Sequence, residues 1–487
     1  MRPGRALLVV ALLAAPALAA LPDDAPMLEV VAPDAGVAPA AAPTLQAPRA
    51  NYLLPVLESE FLHFGLMAFS NLVTRQPFAQ ISLDSIASHF DGRRPWQFDV
   101  DFFFTNQFGH PYQGALSFTA ARSAGVPFWL ATIYPLLASL SWELFYEIDA
   151  PAINDQITTT LGGIFLGEVL HRAAALVLSD TGGGTPSWVR QVGSFLLSPA
   201  GAINHWLTNG ELDAQDLDEN PPYFAHVSAG VNIGGVLRDP GTRRTYLVPG
   251  VQFNVQASLT YGIPGDPAFR YRHPFSHFAL DANLLIGAGA VTGGFFTRGL
   301  LWGAHFGNAS TSVRGVWGVF GQYDFSAASL ARVSSVAVGL GASLQWKLGT
   351  DVFLQATGML SGVPFASAGA LGVEDVTVRD YHIGAGAQAT TDLRLLYRDL
   401  GWLRLTARNW FIVGAYTQPT GWESISYVTF GPLGKLWGPI GLGADVVVVL
   451  RRSHFPDNGF APQVNGVTGR ITLSWLSDGH FGLVDRR

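Results

Sequence analysis

Residues 251–261 read Val-Gln-Phe-Asn-Val-Gln-Ala-Ser-Leu-Thr-Tyr. Val251, Phe253, Val255, Ala257, Leu259 and Tyr261 fall on one face, and Gln252, Asn254, Gln256, Ser258 and Thr260 on the other. Residues 335–346 repeat the pattern, with Val336, Val338, Leu340, Ala342, Leu344 and Trp346 against Ser335, Ala337, Gly339, Gly341, Ser343 and Gln345. A period of two marks a strand with one dry and one wet face. Runs of about ten residues that close on Tyr or Trp fit tilted strands crossing a bilayer between aromatic girdles.

Working outward, such segments recur from Phe224 to Ser477. About twelve can be counted, an even number as single-chain bacterial barrels require. With both ends on the periplasmic side, odd-numbered connections face outward and should be long. The seventh (363–376) and eleventh (453–463) are long, whereas the fourth (307–310) and sixth (348–351) are tight. The second (262–276) breaks this rule. So does the chain's final Gly-Leu-Val-Asp-Arg-Arg, where exported barrels commonly end on an aromatic residue. A soluble β-sandwich also alternates, but its wet face would carry more charge. The wet face here offers seven ionisable candidates for lumen-lining positions: Asp281, Asp392, Arg394, Arg404, Arg408, Asp445 and Arg470. In a wide pore they would set ion preference. In a barrel of about twelve strands they would also be able to pair with one another.

Composition agrees with a lipid-facing surface. Only 13% of residues are charged, against about a quarter in water-soluble domains. The formal net charge of −7 supplies no footprint for nucleic acid. Cysteine is absent, which excludes disulfides, thiolate metal sites and a lipidated N-terminal cysteine. Residues 1–20 have the charged start (Arg2, Arg5), apolar core and small-residue cleavage site of a signal peptide. Residues 21–50 are an Ala/Pro-rich leader too poor in apolar bulk to fold. Export to the bacterial outer membrane, with its bilayer as the main partner, is the expected location.

Residues 51–210 have a helical grain, with Pro and Gly at the joints of Leu53–Arg75, Gly114–Ser123, Phe128–Glu147, Ile153–Ser179 and Val189–Asn209. The stretch from Phe128 could pass for a membrane span. Pro127, Pro135 and the terminal Glu143, Glu147 and Asp149 make it a bundle helix instead. Residues 211–222, with Glu211, Asp213, Asp216, Asp218 and Glu219 before two prolines, read as a solvated acidic linker to a barrel at 223–487. The fold class expected is therefore α+β: an N-terminal helical domain followed by an outer-membrane antiparallel β-barrel of about twelve strands.

The helical half holds an ordered polar motif: Trp96 to Gly114 (WQFDVDFFFTNQFGHPYQG), then Arg122, Ser141-Trp142-Glu143, Asn154-Asp155, Gly162-Gly163 and Gly167-Glu168. Ionisable groups on apolar helices are costly unless paired, coordinated or used. This set resembles a bacterial family known only as domain of unknown function 3943, over roughly residues 96–172. The resemblance implies an exported envelope protein and transfers no activity. Its matching positions are Asn106, His110, Pro111, Gly114, Arg122, Trp142, Glu143, Asn154, Asp155, Gly163 and Glu168. Gly163 and Gly167, four apart, would let a second helix approach closely. His110 precedes Pro111, which pushes its backbone towards extended geometry.

Three readings of the motif stay open. Arg122 pairs with Glu143 or Glu168 and the set is structural. Alternatively, His110, Glu143, Asp155 and Glu168 are catalytic candidates for acid–base work on a lipid or glycan. In the third, the polar face docks on the barrel. No protease spacing, nucleophile elbow or phosphate loop is present, and no cofactor or metal is expected. For the whole chain, the leading expectation is a pore or conduit for a small or amphipathic solute, with the helices plugging or underlying the barrel. An outer-membrane hydrolase and a structural tether that binds a periplasmic protein are the alternatives; oligomeric state is not legible.

Overall fold

The computed structural model describes residues 50–179, 186–208, 218, 220–239, 244–247, 251–287, 290–369, 381–417, 420–456 and 463–486. The signal peptide and leader expected over 1–50 lie outside the described residues, apart from Ala50. The chain divides into two compact units, one ending at Asp218 and the other running Glu219–Arg487.

The first unit is helical: α1 (Leu54–Leu72), α2 (Leu83–Phe90), α3 (His110–Ser123), α4 (Phe128–Ala131), α5 (Ile133–Ser141), α6 (Ile153–Ile157), α7 (Gly163–Ser179), α8 (Trp188–Leu197) and α9 (Pro199–Thr208). Ser82 and Ser85 cap α2 reciprocally. Gly125, at φ +81°, releases the chain from α3. Helices α3 and α7 cross at small residues. A Cβ on Gly114 would lie 1.9 Å from the Thr159 carbonyl oxygen, one on Gly163 2.6 Å from Gly114, and one on Gly167 2.9 Å from Phe118. The motif glycines are thus the floor of a backbone-to-backbone crossing.

Three turns are π-helical, Thr105–Gly109, Trp142–Tyr146 and Thr158–Gly162. One corrects the expectation for His110. Its backbone is helical (φ −63°, ψ −47°), with its N–H bonded five residues back to Thr105. The wider π turn hands over to α3 at Pro111, which has no N–H to place, so the proline is accommodated without extending its neighbour. The stretch from Phe128 breaks at Thr132 and changes to a π turn at Trp142. The segments Phe128–Tyr146 and Ile153–Leu178 are long and apolar enough to cross a membrane, but half and two thirds of them, respectively, are buried. We read them as bundle helices.

The second unit is one antiparallel sheet: β1 (Tyr223–Asp239), β2 (Arg244–Leu247), β3 (Val251–Tyr261), β4 (Phe278–Gly287), β5 (Ala290–Phe306), β6 (Val313–Ser326), β7 (Val333–Lys347), β8 (Val352–Gly369), β9 (Tyr381–Tyr397), β10 (Gly401–Gly414), β11 (Gly421–Trp437), β12 (Ile440–His454) and β13 (Gln463–Leu476). Neighbours in sequence pair throughout, and β13 pairs with β1 from His226↔Leu476 to Arg238↔Asn465. Strand β2 only extends a hairpin on β1, so the closed wall has twelve strands. Closure removes every edge and rules out the sandwich. Outward residues such as Val255, Leu340, Leu360, Phe411, Leu442 and Leu473 are exposed, the dry belt that lipid requires.

One expected loop is corrected, and the length of another is explained. The seventh connection, expected over 363–376, starts later: β8 continues to Gly369 through a register shift between Val363 and Ala366. Pro364 sits at that bulge, where a missing N–H costs no ladder bond. The long second connection turns inward: Phe269 and Tyr271 pack on Leu300, Val316, Phe320 and Met359. Its length therefore serves the barrel interior.

Candidate functional site

Two polar centres emerge, one in each unit. In the helical unit, the π turns frame a buried set of carboxyls. Asp99 Oδ1 accepts from Asn106 Nδ2 (2.5 Å) and Asn154 Nδ2 (2.7 Å), and its own N–H donates to Asn154 Oδ1 (2.9 Å). Asn154 Nδ2 also donates to Asp155 Oδ1 at 2.7 Å. Asp155 Oδ2 lies 3.6 Å from His110 Nε2. Glu143 accepts from the Ala152 N–H at 2.6 Å, and Trp142 Nε1 donates to Glu147 at 3.1 Å.

Burial dominates the electrostatics here. It pushes the Glu143 carboxyl up to about 8, although the Ala152 N–H pulls against it. Burial and then neighbouring carboxyls hold Glu147 and Asp155 well above the usual range. Burial lowers His110. At neutral pH Glu143, Glu147 and Asp155 favour the protonated form beside a neutral His110 imidazole. Among the described residues no group of three or more His, Asp or Glu side chains is arranged to hold a metal.

Glu168 stands apart from this set. Arg122 Nε donates to its Oε2 at 2.8 Å and Arg172 Nε to its Oε1 at 2.7 Å, with all three side chains fully buried. Burial would raise this carboxyl, but the two guanidinium groups bring it below its usual value. Arg122 thus pairs with Glu168 and not Glu143, and Nη1 also donates to the Val126 carbonyl at 2.8 Å. Arg172 continues to Asp218 at 2.8 Å, so Asp218 is a partner of a buried cation and not a solvated linker residue. Glu211, Asp213, Asp216 and Glu219 lie outside the described residues. Sequence reasoning missed Arg172, although its i,i+4 spacing from Glu168 was a signal. It also missed His63, which is fully buried, within 3.0 Å of Gln113 Nε2 and edge-on to Trp142 and Tyr146.

Inside the barrel, a network joins β4, β5, β9 and β10. Asp392 Oδ2 accepts from Arg404 (2.8 Å), Arg298 (3.1 Å) and Arg394 (3.5 Å). Asp281 accepts from Arg408 (2.8 Å), Arg404 (3.3 Å) and Arg298 (3.4 Å). Asp445 and Arg470 form a separate pair at 2.6 Å. All seven lumen candidates therefore lie in ion pairs. Arg298, which closes the network, was overlooked because a register shift between Leu300 and Trp302 interrupts the alternation of β5. A second overlooked group is Glu423, fully buried, which accepts from Arg451 Nη2 (2.5 Å) and Ser453 (2.6 Å) and lies 3.0 Å from His382.

Both mouths are filled from within. At the mouth where β1 begins and β13 ends, residues 477–485 fold back as a strap. Phe481, Leu483 and Val484 pack on Phe224, Ile263, Phe353, Leu396, Trp402 and Leu433. Gln345 donates to the Gly482 carbonyl (2.8 Å) and accepts from the Val484 N–H (3.0 Å), while Gln355 donates to the Phe481 carbonyl (3.1 Å). Arg314 pairs with Asp485. The chain beyond Leu476 is thus used inside the barrel. At the opposite mouth, the turn between β6 and β7 dips in, and Leu330 packs with Phe296, Trp410, Ile412, Ile425 and Val449. Between the two seals lie chambers of about 40 and 100 Å³.

Residues 95–200, all within the helical unit, match the family described as Domain of unknown function (DUF3943). No curated protein matches the chain. Among solved structures, the toluene transporter TodX of Pseudomonas putida is similar at 10% identity, over 53% of this chain and 90% of that one, with a TM-score of 0.20. The CymD monoaromatic hydrocarbon channel gives 9%, 52%, 88% and 0.17, and OpdL of Pseudomonas aeruginosa 8%, 53%, 99% and 0.13. These likenesses are too distant to bear on the solute.

Proposed function

We propose that this DUF3943-carrying chain is exported through a cleavable signal peptide and forms a gated outer-membrane conduit for a small or amphipathic solute. One observation carries the reading: a closed twelve-stranded wall encloses charged chambers, and segments that belong to no strand of that wall seal them. A buried ionic network is poor at stabilising a fold, since apolar residues of the same volume would do as well or better. Its presence between two seals is better explained by traffic through the lumen. We take the strap as the movable part, because it belongs to no strand and is held through side chains: hydrogen bonds, an apolar patch and the Arg314–Asp485 pair. In planar bilayers, the chain truncated after Ser477 should conduct several-fold more than the full chain. Equal, negligible conductance from both, with the truncated barrel correctly folded, refutes the conduit.

A second reading, acid–base chemistry on an envelope lipid or glycan, is favoured by His110 lying 3.6 Å from Asp155 in a set framed by π turns, which recur at functional positions. His110→Gln keeps hydrogen bonding but cannot cycle a proton. Normal assembly with loss of a measurable hydrolytic activity establishes the enzyme reading; unchanged behaviour removes it.

A further inference from the structure

We propose that the smaller chamber, beneath the strap, binds an amphipathic organic carboxylate between Arg298 and Arg394. The proposal rests on the conduit reading and names its solute class. Four guanidinium groups, of Arg298, Arg394, Arg404 and Arg408, converge on two carboxylates, Asp281 and Asp392. Asp324, the next acid on the lumen face, is hydrogen-bonded to Gln388 (2.7 Å) and Trp410 (3.2 Å). The network is left positive in a place where uncompensated charge is expensive.

Arg394 is held most loosely. Its ion pair is 3.5 Å long, to an oxygen that Arg298 and Arg404 already approach more closely. Its guanidinium lies 5.5 Å from the Trp402 ring centre. Arg298, Arg394 and Asp392 line this chamber together with Thr260 and Thr357. The planar fork of a guanidinium matches a carboxylate in two-point geometry. The chamber's other walls include Phe224, Ile263 and Phe481. A lining that combines guanidinium groups with aromatic rings suits a carboxylate with an apolar body. Inorganic phosphate shares the anion chemistry but has nothing to place against the phenyl rings.

The test is calorimetric titration of the full chain, folded in detergent, with benzoate and separately with inorganic phosphate. Benzoate should bind at one site and more tightly than phosphate. Arg394→Gln should weaken benzoate at least tenfold while heat-modifiable migration stays normal. Should that variant not fold, Arg394→Lys, which keeps the charge and loses the fork, should weaken it several-fold. No benzoate binding, phosphate binding as tight as benzoate, or benzoate affinity unchanged in the folded Arg394 variant overturns the proposal. These outcomes are separate from the conduit test, because a full chain that ignores benzoate while its strap-truncated form conducts fails only the present inference.

Discussion

Replacing Arg122 with alanine probes the helical unit where it is most constrained. Glu168 is fully buried and holds one oxygen against each of two arginines, at 2.8 and 2.7 Å. Removing one partner of a buried pair costs about 3–5 kcal/mol when the remaining charge is uncompensated. Here Arg172 remains, which points to the lower end. The Val126 carbonyl also loses its donor, at about 1–3 kcal/mol for a buried acceptor left unmade. The expected total is about 4–6 kcal/mol, read as the urea midpoint for proteolysis of the helical unit in the full chain. Arg122→Lys should recover only part, lacking the fork. The deficit also has a pH signature. Glu168 is depressed in the folded state, so its contribution is present above the ordinary value of 4.5 and is lost as pH falls through the folded value. The wild-type advantage should therefore narrow in acid. A variant within about 0.5 kcal/mol of wild type, the usual range for neutral surface changes, refutes the paired-core account.

Three further outcomes are expected. Leu340→Arg, on the lipid face and largely exposed, should destabilise the barrel by about 2–4 kcal/mol if near the bilayer midplane. Gly341→Leu should fail for the opposite reason, since a Cβ there would lie 2.5 Å from Met359 Cγ; heat-modifiable migration reads both. Glu143 is raised to about 8, so the folded state holds a proton the unfolded chain releases above 4.5. The helical unit should lose stability as pH rises through that window, and Glu143→Gln should flatten the profile in thermal melts.

The barrel was legible because period two survives one strand at a time, as in 251–261 and 335–346. Strand count and lumen charges followed from that alternation. The seals were not legible, because Phe269, Tyr271, Leu330 and Phe481 sit in segments with no period, and only their aromatic or apolar character hints that they leave solvent. Pro364 hid a bulge inside β8, as prolines in strands do. In the helical half, the motif residues could be named but not sorted. Whether Glu168 joins Arg122 or His110 depends on how α3 crosses α7, and Gly114, Gly163 and Gly167 set that crossing through backbone contacts that sequence spacing does not reveal. The π turns arise from the same tertiary fit.

The central claim, that the strap gates the lumen, is tested most directly by tethering it. The chain has no cysteine, so Gln355→Cys with Phe481→Cys, at positions already joined by a hydrogen bond, gives a clean pair for a short, reducible bifunctional thiol reagent. Single-channel recording in a planar bilayer should show openings in the unmodified double variant, silence after cross-linking, and recovery on reduction. Conductance that persists through cross-linking would contradict the account.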